Sequence, residues 1–462
     1  MYIQLYPEAT VMKRIIFEKA FFQGGWAENV LLQIDGNGLI ENIETNYNGQ
    51  EKKISGYALP GINNIHSHAF QRAMAGLAEY SSGGTDSFWT WRDIMYRFAK
   101  NISATDLKAI AAQLYLEMLK GGFISVSEFH YLHNAPEGAM EMSRAIMNAA
   151  NDIGIGLCHL PVLYMSSGFG GKPLTDGQKR FSLSTEEYIK LLIQLNKKMN
   201  DDNNQHLGIA FHSLRAVPEE ALKYIVENNP TSGPLHIHIS EQVAEVNYSI
   251  AFSGKRPIEW LFENAPFNEQ WCLIHATQLN DQEIKMITKS GAVVGLCPTT
   301  EANLGDGLFP LKTFLDGDGH IGIGSDSHIS VSIVEELRLL EYGQRLSKQQ
   351  RNIATSKEEV HTGTNLYQQA LKGGAKASGF NNGEIKIGKR ADIIVLDRDA
   401  ATLLGTPDNH IIDRFIFRGN QNSIEHVFVA GEQVIKNHRH LCEARVYQEF
   451  KIVMDRLKKH LD

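Results

Sequence analysis

The apolar positions of this chain fall into two patterns. Between residues 59 and 326 short apolar runs recur, each of strand length, with helix-like stretches between them. The runs are LPGINNIHS (59–67), FISVSEFHY (123–131), IGLCHLPVLY (155–164) and LGIAFHSL (207–214), then PLHIHIS (234–240), WCLIHAT (271–277), AVVGLCP (292–298) and HIGIGSD (320–326). Eight strands alternating with helices predict a parallel (β/α)8 TIM-like barrel, an α/β fold whose functional groups gather at the C-terminal strand ends. A doubly wound open sheet is the competing arrangement, but polar residues at the ends of so many runs suit a closed ring better. Helices are expected near 104–120 and, after the capping-box pairs Ser184/Glu187 and Ser332/Glu335, over 185–199 and 333–346.

The flanks follow the second pattern. Residues 13–45 hold RIIFEKAFF and NVLLQI around the turn signal Asp35-Gly36-Asn37-Gly38, which reads as hairpins. Past residue 380 the chain is strand-like again, in GEIKIGKRADIIVLD and HVFVAGEQVIKNHRH. Neither flank has enough strands to bury an apolar face alone. We therefore expect one small β-sandwich domain composed of 1–58 and 380–444, beside a barrel over 59–379, with an amphipathic helix over 445–462. Residues 1–11 precede the strand pattern and read as a dispensable extension. The Gly-rich connection SSGFGGKPLTDGQ (166–178) reads as a mobile lid or a long surface loop, and it lacks the spacing of a phosphate-binding loop.

Composition narrows the function. A 43% hydrophobic and 21% charged chain is ordinary for a globular protein, and no run of about 18 apolar residues suggests a membrane span. The N-terminus lacks the pattern of a signal peptide, so the expected location is cytoplasmic. A net charge of −8 argues against a general nucleic-acid or anionic-membrane surface, so any anionic substrate needs local basic residues. Four cysteines without a C-x-x-C pair make neither a disulfide framework nor a thiolate zinc site.

Candidate chemistry sits at the strand ends. His66 and His68 stand two apart, so on a strand they share a face. That suits a metal site, and equally a hydrogen-bonded strand end. Tyr131, His238, His275 and Asp326 fall at or just after the ends of other runs. His236 shares a face with His238, and periodicity alone does not choose between them. Arg92, in the aromatic run FWTWR, and Arg215, three residues after His212, are candidates for clamping carboxylates. Phe88, Trp89 and Trp91 line a pocket or fill a core equally well.

The HSH of the first run, the HIHIS of the fifth, the histidine of the sixth and the aspartate of the eighth, with GKRADIIVLD following, resemble the amidohydrolase superfamily. Within it, HSHAFQRAMAGLAE, DSFWTWR, SEFHYLH, FHSLRAV, HIHISEQ, IHAT and GSDSH resemble the formimidoylglutamate deiminases. The resemblance implies one divalent metal ion per chain, with zinc expected, held by His66, His68, His238 and Asp326. The same donor types accept iron or other ions. It implies further that Glu241 protonates an imine nitrogen, while His275 and Asp326 orient the hydrolytic water and accept its protons. Gln71, Tyr131 and His212 then complete a pocket with Arg92 and Arg215 for a small dicarboxylate amidine. The implied reaction turns N-formimidoyl-L-glutamate and water into N-formyl-L-glutamate and ammonia, a step of histidine degradation. A deaminase of an aromatic base such as guanine is the nearest alternative, and a barrel relative without metal or catalysis is the other. A homodimer is compatible with the sequence, which leaves the oligomeric state open.

Overall fold

A computed structural model describes residues 12–80, 88–199 and 204–460. The expectation for residues 1–11 lies outside them. The N-terminal strands are β1 (Lys13–Phe22), β2 (Gly25–Ile34), β3 (Ile40–Glu44) and β4 (Ile54–Pro60). The ring is built by β5 (Ile62–Ser67), β6 (Phe123–His130), β7 (Gly156–Leu163), β8 (Gln205–Leu207), β9 (Ile209–Phe211), β10 (Leu235–Ile239), β11 (Trp271–His275), β12 (Val293–Leu296) and β13 (His320–Ile323). The C-terminal strands are β14 (Ile393–Leu396), β15 (Ile424–Val429), β16 (Glu432–Lys436) and β17 (Arg439–His440).

The ring runs β6-β5-β13-β12-β11-β10-β9-β7 with all neighbours parallel, and the β6–β7 pairing closes it. All eight expected barrel strands are present. The fourth is split into β8 and β9 at Gly208, where a Cβ would stand 2.6 Å from both Leu160 and the Pro234 carbonyl oxygen. Inside the ring, Ile65 has room because Gly295 and Gly322 carry no side chain: a Cβ at either would approach it to 2.6 and 2.9 Å.

The flanking strands join in one eight-stranded sheet, ordered β17-β16-β15-β14-β4-β1-β2-β3. Period-two alternation explains why both faces are apolar. Ile393 and Val395 belong to the sheet's own core with Phe17, Val30 and Phe428, whereas Ile394 and Leu396 belong to the large core shared with the barrel. β4 runs directly into β5 through Gly61, whose N–H donates to the Asp392 carbonyl at 3.0 Å. The last long helix, Glu443–Leu457, packs on the helix Ala104–Lys120, with ion pairs Lys120–Glu443 and Arg456–Asp106. No described helix is long and apolar enough to cross a membrane.

Candidate active site

Three histidine rings and one carboxylate meet at the C-terminal mouth of the ring. The Nε2 atom of His66 lies 3.2 Å from that of His68 and 3.0 Å from that of His238. Asp326 Oδ1 is 3.2 Å from His68 Nε2 and 3.5 Å from His66 Nε2. The backbone decides which nitrogens point inward. His68 Nδ1 donates to the Phe129 carbonyl at 3.0 Å and His238 Nδ1 to the His212 carbonyl at 2.9 Å, so each Nε2 keeps its lone pair for the centre. Burial holds His66 and His238 well below the usual histidine range, leaving them neutral, as metal ligation requires. Donors about 2.0–2.1 Å from a tetrahedral zinc stand ~3.3–3.4 Å apart, close to these four separations, and His66, His68 and Asp326 form one compact group of donors while His66 and His238 belong to another with His275. The donor set therefore fits a divalent metal.

His236, two residues before His238, is fully buried, and its Nε2 donates to the Ala377 carbonyl at 2.8 Å. It takes no part in the cluster.

His275 reaches the mouth by a bend. Its ladder partner Ile239 belongs to the core outside the ring, so straight alternation would turn His275 outward as well. Instead His275 and Ala276 adopt φ of +70° and +48°, a left-handed conformation that ordinary residues enter only under constraint. The ring's Nε2 then faces Asp326 Oδ2 at 3.7 Å and Glu241 Oε1 at 3.8 Å. Ser240 and Asp326 are also left-handed, at φ +52° and +46°. The carboxylate of Glu245 accepts the N–H groups of Ser240 and Glu241 at 3.2 and 3.0 Å, which holds the turn that presents Glu241.

The carboxyls differ in their surroundings. Burial pushes Glu241 up to about 7, against the opposing pull of His275. For His275, burial is outweighed by the facing carboxylates of Glu241, Asp326 and Glu301, and its value rises to about 10. Asp326 is lowered: burial is outweighed by the pull of the adjacent His68 and of the nearby His275. Glu241 is thus poised to carry a proton beside Asp326, which stays anionic.

The cleft over this centre is lined by His68, Gln71, Arg92, Tyr131, His212 and Arg215, together with His238, Glu241, His275 and Asp326. These ten site candidates are thereby gathered in one place, with His66 beneath. Trp91 also lines the cleft, whereas the side chains of Phe88 and Trp89 lie outside the described residues. Gln71 donates to the Tyr131 hydroxyl at 2.9 Å, and the Arg92 guanidinium sits 5.3 Å from the Tyr96 ring centre. Segment 166–178 is tied to the wall at both ends: Ser166 Oγ donates to the Arg215 carbonyl at 3.0 Å, and Gln178 donates to the Tyr164 hydroxyl at 2.9 Å.

Sequence reasoning passed over two carboxylates. Glu301 Oε1 accepts the Cys297 N–H at 2.8 Å and lies 3.3 Å from His275 Nδ1, fixing that ring from behind. Glu128 accepts from Ser67 Oγ at 2.6 Å and the Ala69 N–H at 2.7 Å, bracing the turn between His66 and the pocket. Both sit within quoted or strand-end segments, but nothing in their spacing marks them.

A closed parallel ring with histidines and an aspartate at its mouth is the architecture of metal-dependent hydrolases, and the Amidohydrolase family model matches residues 57–434. The chain belongs to the amidohydrolase family, which is metal-dependent. It is 44% identical over 453 residues to the formimidoylglutamate deiminase of Pseudomonas aeruginosa, covering 96% of this chain and 100% of that one. The amidohydrolase of Brucella melitensis has a solved structure that superposes with a TM-score of 0.90 at 40% identity, covering 96% of this chain and 99% of the other. An adenosine deaminase from Xanthomonas campestris, solved with bound zinc, shares the fold at a TM-score of 0.80 and 19% identity, with 96% and 98% covered.

Proposed function

We propose that this chain hydrolyses N-formimidoyl-L-glutamate to N-formyl-L-glutamate and ammonia, a step of histidine degradation, using one zinc ion held by His66, His68, His238 and Asp326. The ion, when bound, supplies Lewis-acid activation of water. The chain's own groups handle protons and position. Glu241, raised by burial, donates to the imine nitrogen and so makes the carbon electrophilic. His275 and Asp326, facing each other at 3.7 Å, orient water and take its protons, one of which leaves with ammonia. Arg92 and Arg215 each take one substrate carboxylate, while Gln71, Tyr131 and His212 fill the space between.

The observation that carries this reading is the convergence of Glu241, His275 and two arginines on one cleft above the histidine cluster. An aromatic-base deaminase uses the same proton chemistry but has no need of paired guanidinium groups. Ammonia release should be measured on formimidoylglutamate beside guanine, cytosine and adenosine. Faster release from any of the bases overturns the reading.

A further inference from the structure

A second cluster of metal-ligating side chains stands away from the cleft. His361 precedes the helix Thr362–Ser378, which packs on β5 and β13, and His410 and Asp413 open the helix Ile411–Phe417. Asp413 Oδ2 lies 2.6 Å from His361 Nδ1 and 3.8 Å from His410 Nδ1. The two imidazoles are edge-on, with centroids 4.7 Å apart and planes at 85°. The catalytic pairs have the same arrangement: 4.6 Å and 84° for His66 with His68, and 4.8 Å and 84° for His66 with His238.

Helix capping accounts for part of this cluster. Asp413 Oδ1 accepts the Gly363 N–H at 2.7 Å and Oδ2 accepts from His361, which joins the two helices without His410. His410 lies outside the capping bonds: three residues before Asp413 in the first helical turn, its half-exposed ring faces with Nδ1 the oxygen that His361 already holds. The three donor atoms lie within 4.8 Å of one another, close enough to share a cation. Donors around a zinc-sized ion stand ~3.3 Å apart, so binding requires the 2.6 Å hydrogen bond between His361 and Asp413 to open and the 3.8 Å gap to His410 to close, each by a fraction of an ångström. Two imidazole nitrogens and a carboxylate oxygen are also the donor types that borderline transition metals take. The side chains are 21%, 51% and 22% exposed for His361, His410 and Asp413, so water can complete the coordination. Glu359, whose carboxylate accepts the His361 N–H at 2.9 Å, adds negative charge beside it.

We propose that His361, His410 and Asp413 form a second, surface site for a divalent transition metal, one that staples the helix Thr362–Ser378 to the segment leading into the C-terminal strands and takes no part in turnover. The ion replaces the proton on His361 Nδ1, so binding releases a proton. The test compares wild-type holoenzyme with His410→Ala, a half-exposed position whose loss leaves the capping bonds of Asp413 in place. Both are equilibrated with buffered free zinc, and the metal is counted per chain. Wild type should hold one ion more than the variant, and zinc should raise its Tm by about 2 °C or more at free zinc a hundredfold above Kd. His410→Ala should lose that rise and keep full turnover. Equal metal counts in the two proteins, or a zinc-dependent Tm rise that survives in His361→Ala/His410→Ala, overturn the proposal.

Discussion

His236 and His238 lie on the same face of the same strand, two residues apart, and their fates differ entirely. Toward the floor of the barrel, His236 donates from Nε2 to the carbonyl of Ala377. At the mouth, His238 donates from Nδ1 to the carbonyl of His212, and its Nε2 meets His66. Residue type, burial and strand face are shared, so none of them decides function here. The deciding feature is which ring nitrogen the backbone has already taken. The mouth as a whole follows the same logic: left-handed bends at Ser240, His275 and Asp326 spend backbone regularity to aim side chains.

The comparison is broken most severely at Asp326. On the proposed roles, Asp326→Asn removes an anionic ligand and a proton acceptor together, and kcat should fall by about a thousandfold or more while circular dichroism stays native. Near-normal turnover with metal retained assigns the carboxylate role elsewhere. Next come the arginines. Charge-assisted hydrogen bonds are worth roughly 1.5–3 kcal/mol, so Arg92→Met and Arg215→Met should each lower kcat/KM on formimidoylglutamate about ten- to 150-fold, with metal content unchanged. Full efficiency in both variants removes the dicarboxylate reading.

Glu301→Ala sharpens the contrast from behind the mouth. Freed of its carboxylate, His275 should lose its ring orientation, and kcat should drop about ten- to 100-fold with KM and metal content little changed. Glu301→Gln, which keeps an acceptor oxygen, should recover part of the loss. A fall in KM-dependent terms alone makes Glu301 a packing residue. The smallest effect on turnover belongs to the floor. His236→Ala should lower stability by about 2–4 kcal/mol through the lost hydrogen bond and the cavity, yet leave kcat within about twofold. A metal-depleted His236→Ala protein would erase the distinction between the two histidines.

The barrel was legible because its strands are buried on both faces and read as apolar runs between turn residues. Even so, the split at Gly208 was hidden, because it answers to Leu160 and Pro234, neither adjacent in sequence. His66 and His68 were found by a period of two, although the ladder shifts register between Asn64 and Ser67 and the strand ends before His68. His275 was found by its place at the end of a run, and its role only by resemblance, since alternation points it away from the site. Glu301 and Glu128 were invisible: a glutamate in a first helical turn or on a strand carries no local sign that its oxygen meets a distant ring or hydroxyl. The end sheet was legible as a union of flanks, but its order was not, because pairing between distant segments is set by packing rather than by local pattern.

The passage of β4 into β5 bears on how the chain is made. β4 lies between β1 and β14, so one of its hydrogen-bonding edges stays bare until residues 393–396 have been synthesised. At ~5–20 residues per second, that edge waits roughly 15–70 s after Pro60 leaves the ribosome's catalytic centre. The first two histidines of the cluster are carried on the strand that grows out of this unfinished edge. A ribosome stalled between residues 327 and 393 therefore holds a nascent chain with all the proposed catalytic residues synthesised, the strand bearing its first two histidines unanchored, and an open template for mispairing with its neighbours on the polysome.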